Sequence, residues 1–74
     1  RLMVKTLIIL ILLFDGTLIK EQLHFDKEVT ILECMEFGEQ YQEEIATHFW
    51  MKDVMKSGYY LNDGRGTVQG FICE

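Results

Sequence analysis

The chain has 74 residues, 49% hydrophobic and 26% charged, with 12 acidic against 7 basic side chains and a formal net charge of −5. A chain this short buries only about 60% of the surface its unfolded form exposes, so a disulfide, a metal or a partner subunit is expected to reinforce a marginal core. The composition is globular rather than disordered, and a net acidic chain lacks the clustered Lys and Arg of a general nucleic-acid binder.

Proline is absent, and no repeat or low-complexity linker divides residues 1–74, so a single domain is expected. The apolar run from Leu7 to Phe14, preceded by Arg1 and Lys5, has the outline of a targeting segment. Two features oppose that reading. No small-x-small cleavage pattern occurs before Lys20, and the run is far shorter than the about 20 apolar residues of a spanning helix. It ends in Asp15-Gly16, the preferred centre of a two-residue hairpin turn.

Residues 4–14 and 17–25 are therefore expected to be the strands of a retained β-hairpin. Met3 reads as a natural start, with Arg1-Leu2 upstream of it. The expected location is cytoplasmic, and export or membrane association through residues 4–14 is the alternative.

A two-residue turn pairs Leu12 with Ile19, Leu10 with Glu21 and Ile8 with Leu23 on one face. The other face pairs Leu13 with Leu18, Ile11 with Lys20, Ile9 with Gln22 and Leu7 with His24. The second strand alternates, while the first is apolar on both faces, as in the middle of a sheet covered on each side.

Asp26 reads as the N-cap of a helix over 27–49, whose buried stripe is Ile31, Cys34, Gly38, Tyr41, Ile45 and Phe49. Gly38 in mid-stripe costs about 1 kcal/mol against Ala, which points to a close approach of helix to sheet. Glu33, Glu36, Glu39, Glu43 and Glu44 point elsewhere, with no Lys or Arg between Glu28 and Met51. They form a solvated face or an acidic surface for a basic protein partner. After Phe49 the stripe loses phase at Trp50, Met51 and Val54, and Ser57-Gly58 suits the end of any continuation.

Residues 59–62 read as a strand, Asp63-Gly64-Arg65-Gly66 as a turn and 67–73 as the last strand. The expected fold is α+β in the order ββαββ, a four-stranded antiparallel sheet with one main helix packed on one face. Leu7, Ile9, Ile11 and Leu13 are assigned to the opposite face. An apolar patch of that kind marks an interface, and a homodimer packed sheet on sheet would bury it.

Reactive chemistry is sparse. Cys34 and Cys73 are either a disulfide across nearly forty residues, worth about 3–4 kcal/mol, or two buried thiols in a reducing compartment. Without a CxxC spacing they make no zinc site. His24 and His48 lack any metal-ligand spacing, and a minor metal-binding protein or enzyme using them with glutamates is a further alternative. Asp63-Gly64-Arg65-Gly66 lacks the Lys-Ser or Lys-Thr of a phosphate loop. Ser57, the one serine, has no histidine base beside it in sequence. Trp50, Tyr59 and Tyr60 read as core and rim packing, or else as a small ligand-facing patch. No catalytic, cofactor or metal residue is assigned.

The stretches KTLIILILLFDGTLIKEQLHF, ECMEFGEQYQEEIAT and GYYLNDGRGTVQGFICE resemble small proteins encoded by marine phages and marine metagenomes. The shared pattern is an apolar N-terminal strand, one Cys in the helix and a closing YLNDGxGTxQGFxC strand pair. The resemblance covers nearly the whole chain. It implies a viral or marine microbial source and no activity, so it carries over no functional residue. The function expected is that of a small non-enzymatic accessory protein acting as a homodimer or protein-binding module.

Overall fold

The computed structural model describes residues 3–53 and 56–74. The readings of Arg1-Leu2 and of Val54 fall outside them. The described elements are β1 (Met3–Leu13), β2 (Leu18–Thr30), α1 (Ile31–Ile45), β3 (Ala46–Phe49), β4 (Gly58–Leu61) and β5 (Gly66–Cys73). They form one antiparallel sheet in the order β2-β1-β5-β4-β3, with α1 packed across it. The α+β class and the helix-on-sheet layering are as the sequence implies. The sheet has five strands rather than four, in the order ββαβββ.

The extra strand comes out of the expected helix. Residues 27–30 continue β2, where Val29 and Thr30 pair with Val4 and Met3, as suits β-branched side chains. The N-cap is therefore Thr30 and not Asp26. The Thr30 hydroxyl accepts the Glu33 N–H at 3.1 Å while the Glu33 carboxylate accepts the Thr30 N–H at 3.0 Å. This capping box is spelled by the Thr-x-x-Glu of residues 30–33.

At the other end, Ala46 is already extended (φ −142°, ψ 157°). No glycine or loop intervenes, and β3 starts directly. Asn62, in the turn after β4, holds this end. Its backbone N–H donates to the Ile45 carbonyl at 2.9 Å and its side-chain amide to the Glu44 carbonyl at 3.2 Å. Its side-chain oxygen accepts the Thr47 hydroxyl at 2.7 Å. Two of the carbonyls a helix C-terminus leaves unpaired are thus satisfied from across the fold.

The first hairpin is one residue out of the expected register. Leu13 N–H donates to the Thr17 carbonyl and Gly16 N–H to the Leu13 carbonyl, with Gly16 at φ +94°. These bonds close a three-residue loop, Phe14 to Gly16, rather than a two-residue one. Ile11 therefore faces Ile19, Ile9 faces Glu21 and Leu7 faces Leu23. A one-residue slip moves every side chain of a strand to the other face relative to its partner. Here it reverses the assignment of Leu7, Ile9, Ile11 and Leu13. These residues do not form an outer interface but share the helix side with Ile19, Leu23, Val68 and Phe71. Leu7, Ile9 and Ile11 are fully buried, and Leu13 packs against the same cluster.

The core continues through Val4, Cys34, Ala46, Leu61 and Val68. Tyr41 and Ile45 of the expected stripe pack onto it. Phe49 does not, because it belongs to β3 and opposes Gly58.

Candidate functional site

Cys34, buried on α1, and Cys73, at the end of β5, form a disulfide with Cα atoms 6.2 Å apart. One helical turn on, Gly38 lies against the Phe71 ring. A Cβ built on Gly38 would stand 2.5 Å from the nearest ring carbon. Helix and β5 are thus bonded at one turn and in close contact at the next, which is the close approach that Gly38 in the stripe implied.

With α1 on one side, the uncovered side of the sheet is set by register. Thr6, Ile8, Leu10 and Leu12 of β1 lie beside His24, Gln22, Lys20 and Leu18 of β2. On the other flank come Ile72, Gly70 and Thr67 of β5, then Tyr60, with Thr47 and Phe49 at the edge. Phe14, in the turn, reaches Tyr60 with ring centroids 6.3 Å apart, and Phe49 meets the same ring at 5.8 Å. Five apolar residues here remain exposed to 65% (Phe14), 56% (Leu18), 49% (Phe49), 45% (Ile72) and 37% (Leu12). At roughly 200 Å² for a fully exposed large side chain, they leave about 500 Å² of apolar surface, near the largest patches of ordinary monomers.

Among the chain's 12 acidic residues, Glu74, which pairs with Thr6, stands at the end of this face, away from Phe14 and Leu18. The cationic side chain there is Lys20. Acidic groups gather on α1, with Glu33, Glu36, Glu39, Glu43 and Glu44. Arg65, in the second turn, holds Asp63 at 2.6 Å and reaches Glu21 at 3.4 Å. The Arg65 N–H and guanidinium keep the Asp63 carboxyl below its usual range, and Asp63 in turn raises the guanidinium pKa. The Thr17 N–H does the same for Asp15, and Thr30 lowers Glu33 through its N–H and hydroxyl. All four groups are exposed and serve turns or a cap.

The histidines are separated. His24 lies on the uncovered face with Nδ1 at 3.1 Å from the Thr6 hydroxyl. His48 lies on the helix side between Trp50 and Tyr59, at ring distances of 4.4 and 4.9 Å. Among the described residues no three of His, Cys, Asp and Glu come together as a metal site. Trp50, Tyr59 and Tyr60 are likewise divided, with Tyr60 turned to the open face. A cavity of about 360 Å³ opens where β4 and β5 part, between Gln42 of α1 and Gly58, Tyr59, Gln69 and Gly70 of the strands, with Lys56 beside it.

Comparison with protein-family models, curated proteins and solved structures finds no match for this chain. No described helix is long and apolar enough to cross a membrane. The open-face residues had a signal in the sequence. Ile19, Leu23 and Phe25 mark one side of β2 as buried, so Leu18, Lys20 and Gln22 had to share the other with whichever β1 set the turn selected.

Proposed function

We propose that the chain is a small non-enzymatic accessory protein that works by association, as a homodimer packed sheet to sheet through its open face. The observation behind this reading is that face itself, apolar over about 500 Å², with its one carboxylate among the paired positions, Glu74, at the end opposite Thr6. Two copies would cover about 1,000 Å², the lower bound of a specific interface, and the polar rim of Lys20, Gln22 and Thr47 adds to it. Packing through this face sends the acidic helices to opposite outer sides, where two chains of charge −5 repel least. Those outer glutamates then suit a basic protein partner. The source implied by the resemblance is viral or marine microbial.

The disulfide favours an oxidising compartment over the cytoplasm. Thiol titration of unfolded, unreduced protein made in its own cell tests that point, and two free thiols would return the chain to a reducing one. Export by loss of residues 4–14 is disfavoured, because β1 lies between two strands and carries Leu7, Ile9 and Ile11 into the core.

Sedimentation at micromolar concentration tests the dimer. The wild type is expected to run as a dimer, and Leu18→Lys with Ile72→Lys as a folded monomer. A wild type that runs as a monomer with nothing bound refutes the reading.

A further inference from the structure

The sheet is five strands wide near the hairpin turns and narrower near Cys73. β5 continues to Cys73, but β4 pairs only with Thr67 and Val68. From Gln69 onward, no described strand lies along the outer side of β5. The ladder shows where its main-chain groups go. Thr6 and Glu74 exchange both N–H···O bonds, at 2.7 and 2.9 Å. Bonding alternates along an antiparallel strand, so Ile72 and Gly70, opposite Ile8 and Leu10, also address β1. Phe71 and Cys73 then turn their N–H and C=O groups to the outer edge. Such an edge is a template for another strand.

Elsewhere the sheet blunts its edges. β2 carries Lys20, Glu21, Asp26, Lys27 and Glu28 within its 13 residues, and β3 has only four residues. The stretch Gln69-Gly70-Phe71-Ile72-Cys73 has no charged side chain. The cavity between β4 and β5 stands at its upper end. Gly58 (φ +154°) and Gly70 (φ +150°) border it in conformations L side chains rarely adopt, and a Cβ at either would meet nothing within 4 Å. Both strands therefore present bare backbone there. The lining holds one cation, Lys56, and no carboxylate.

We infer that the β5 edge from Gln69 to Cys73 binds an extended segment of a partner protein as an added strand, with an acidic side chain of that segment in the cavity beside Lys56. A second copy is a poor fit. α1 lies over β5 at this level, with Cys34 bonded to Cys73 and Gly38 on Phe71. Pairing two such edges would set the strands about 5 Å apart, while helix axes need 8–10 Å. A lone strand brings no helix. This contact goes beyond the homodimer and uses a different surface, so each protomer offers its own edge.

The test titrates isotope-labelled protein with acetyl-Thr-Val-Thr-Val-Glu and with the same peptide ending in Lys. Saturable shifts are expected at the amides of Gly70, Phe71 and Cys73, with slowed hydrogen exchange at Phe71 and Cys73. The glutamate peptide should bind about two- to fivefold more tightly than the lysine peptide, as an exposed ion pair allows, and Lys56→Glu should reverse that order. The inference is overturned if millimolar peptide leaves these amides unmoved, if the shifts fall on Leu18–His24 of β2, or if the two peptides bind alike. A wild type that sediments as a monomer would refute the homodimer and leave this contact standing, because the titration reads the edge of a single protomer.

Discussion

Replacing Gly38 with Ala sets two known effects against each other. In an open helix the change stabilises by about 1 kcal/mol. Here the new Cβ would stand 2.5, 2.6 and 2.8 Å from three carbons of the Phe71 ring. Carbon pairs rest at about 3.5–4.0 Å, so helix or ring must yield by about 1 Å. The helix is held one turn earlier by the Cys34–Cys73 bond, and Phe71 sits opposite Ile9, which is fully buried. Overpacking of this kind costs about 1–3 kcal/mol. The expected net effect is a loss of up to about 2 kcal/mol after the propensity gain is subtracted. Urea unfolding reads this directly, and each kcal/mol lowers Tm by about 4–8 °C in a domain of this size. In a Phe71→Leu background the same alanine should be neutral or stabilising, a coupling that a double-mutant cycle isolates. If Gly38→Ala raises the stability of the otherwise unchanged protein by the full helical gain, the close-approach reasoning is wrong.

Reducing the Cys34–Cys73 bond, or replacing both residues with Ser, should cost about 4 kcal/mol for a loop of this length, read as the difference between oxidised and reduced unfolding curves. Asn62→Ala should cost about 1 kcal/mol through the lost bonds to Glu44 and Thr47. Asn62→Asp should cost more, because a carboxylate there meets the negative end of α1, and urea midpoints of the two variants rank them. Glu33, Asp15 and Asp63 are held below their usual carboxylate range by N–H donors. Their contribution is therefore complete above the unfolded range and lost as pH falls through the folded values. Tm should decline below about pH 4, and Glu33→Gln should flatten part of that decline.

The sequence carried the layering but not the register. Leu7 to Leu13 is apolar at every position, so either alternate set fits a core, and the choice passes to β2 and to the turn between them. Asp15-Gly16 suits both a two-residue and a three-residue loop, and the difference of one residue decides which set meets the helix. The end of α1 was hidden for another reason. Ile45 and Phe49 keep helical phase, and Ala46-Thr47-His48-Phe49 has no breaker. Strand formation there depends on pairing with β4, a contact that local periodicity does not record. The Thr30–Glu33 capping box, by contrast, is written in four residues, but Asp26 offers a competing N-cap four residues earlier, and only the pairing of Val29 and Thr30 with β1 decides between them. Gly38 was legible because it breaks the pattern of its own element, a glycine in a buried stripe having to answer to a neighbour, whereas the cysteine pair left a disulfide and two buried thiols equally open, since pairing depends on the redox compartment as well as on position.

The disulfide closes residues 34–73 into a covalent ring that holds most of α1, with β3, β4 and β5, and leaves the β1–β2 hairpin outside. Yet that hairpin supplies Leu7, Ile9 and Ile11 to the core and inserts β1 between β2 and β5. The protein is in this sense a clasp, a ring gripping a hairpin to which it is joined by the backbone through residues 31–33 alone. Cleavage in that short connection would leave two separate pieces sharing one core, held by the β1–β5 ladder and by packing. It is also the point about which a hairpin has to swing to leave its own ring for that of a neighbour, so strand exchange between molecules would pass through the first turn of α1, where the Thr30–Glu33 box acts as the latch.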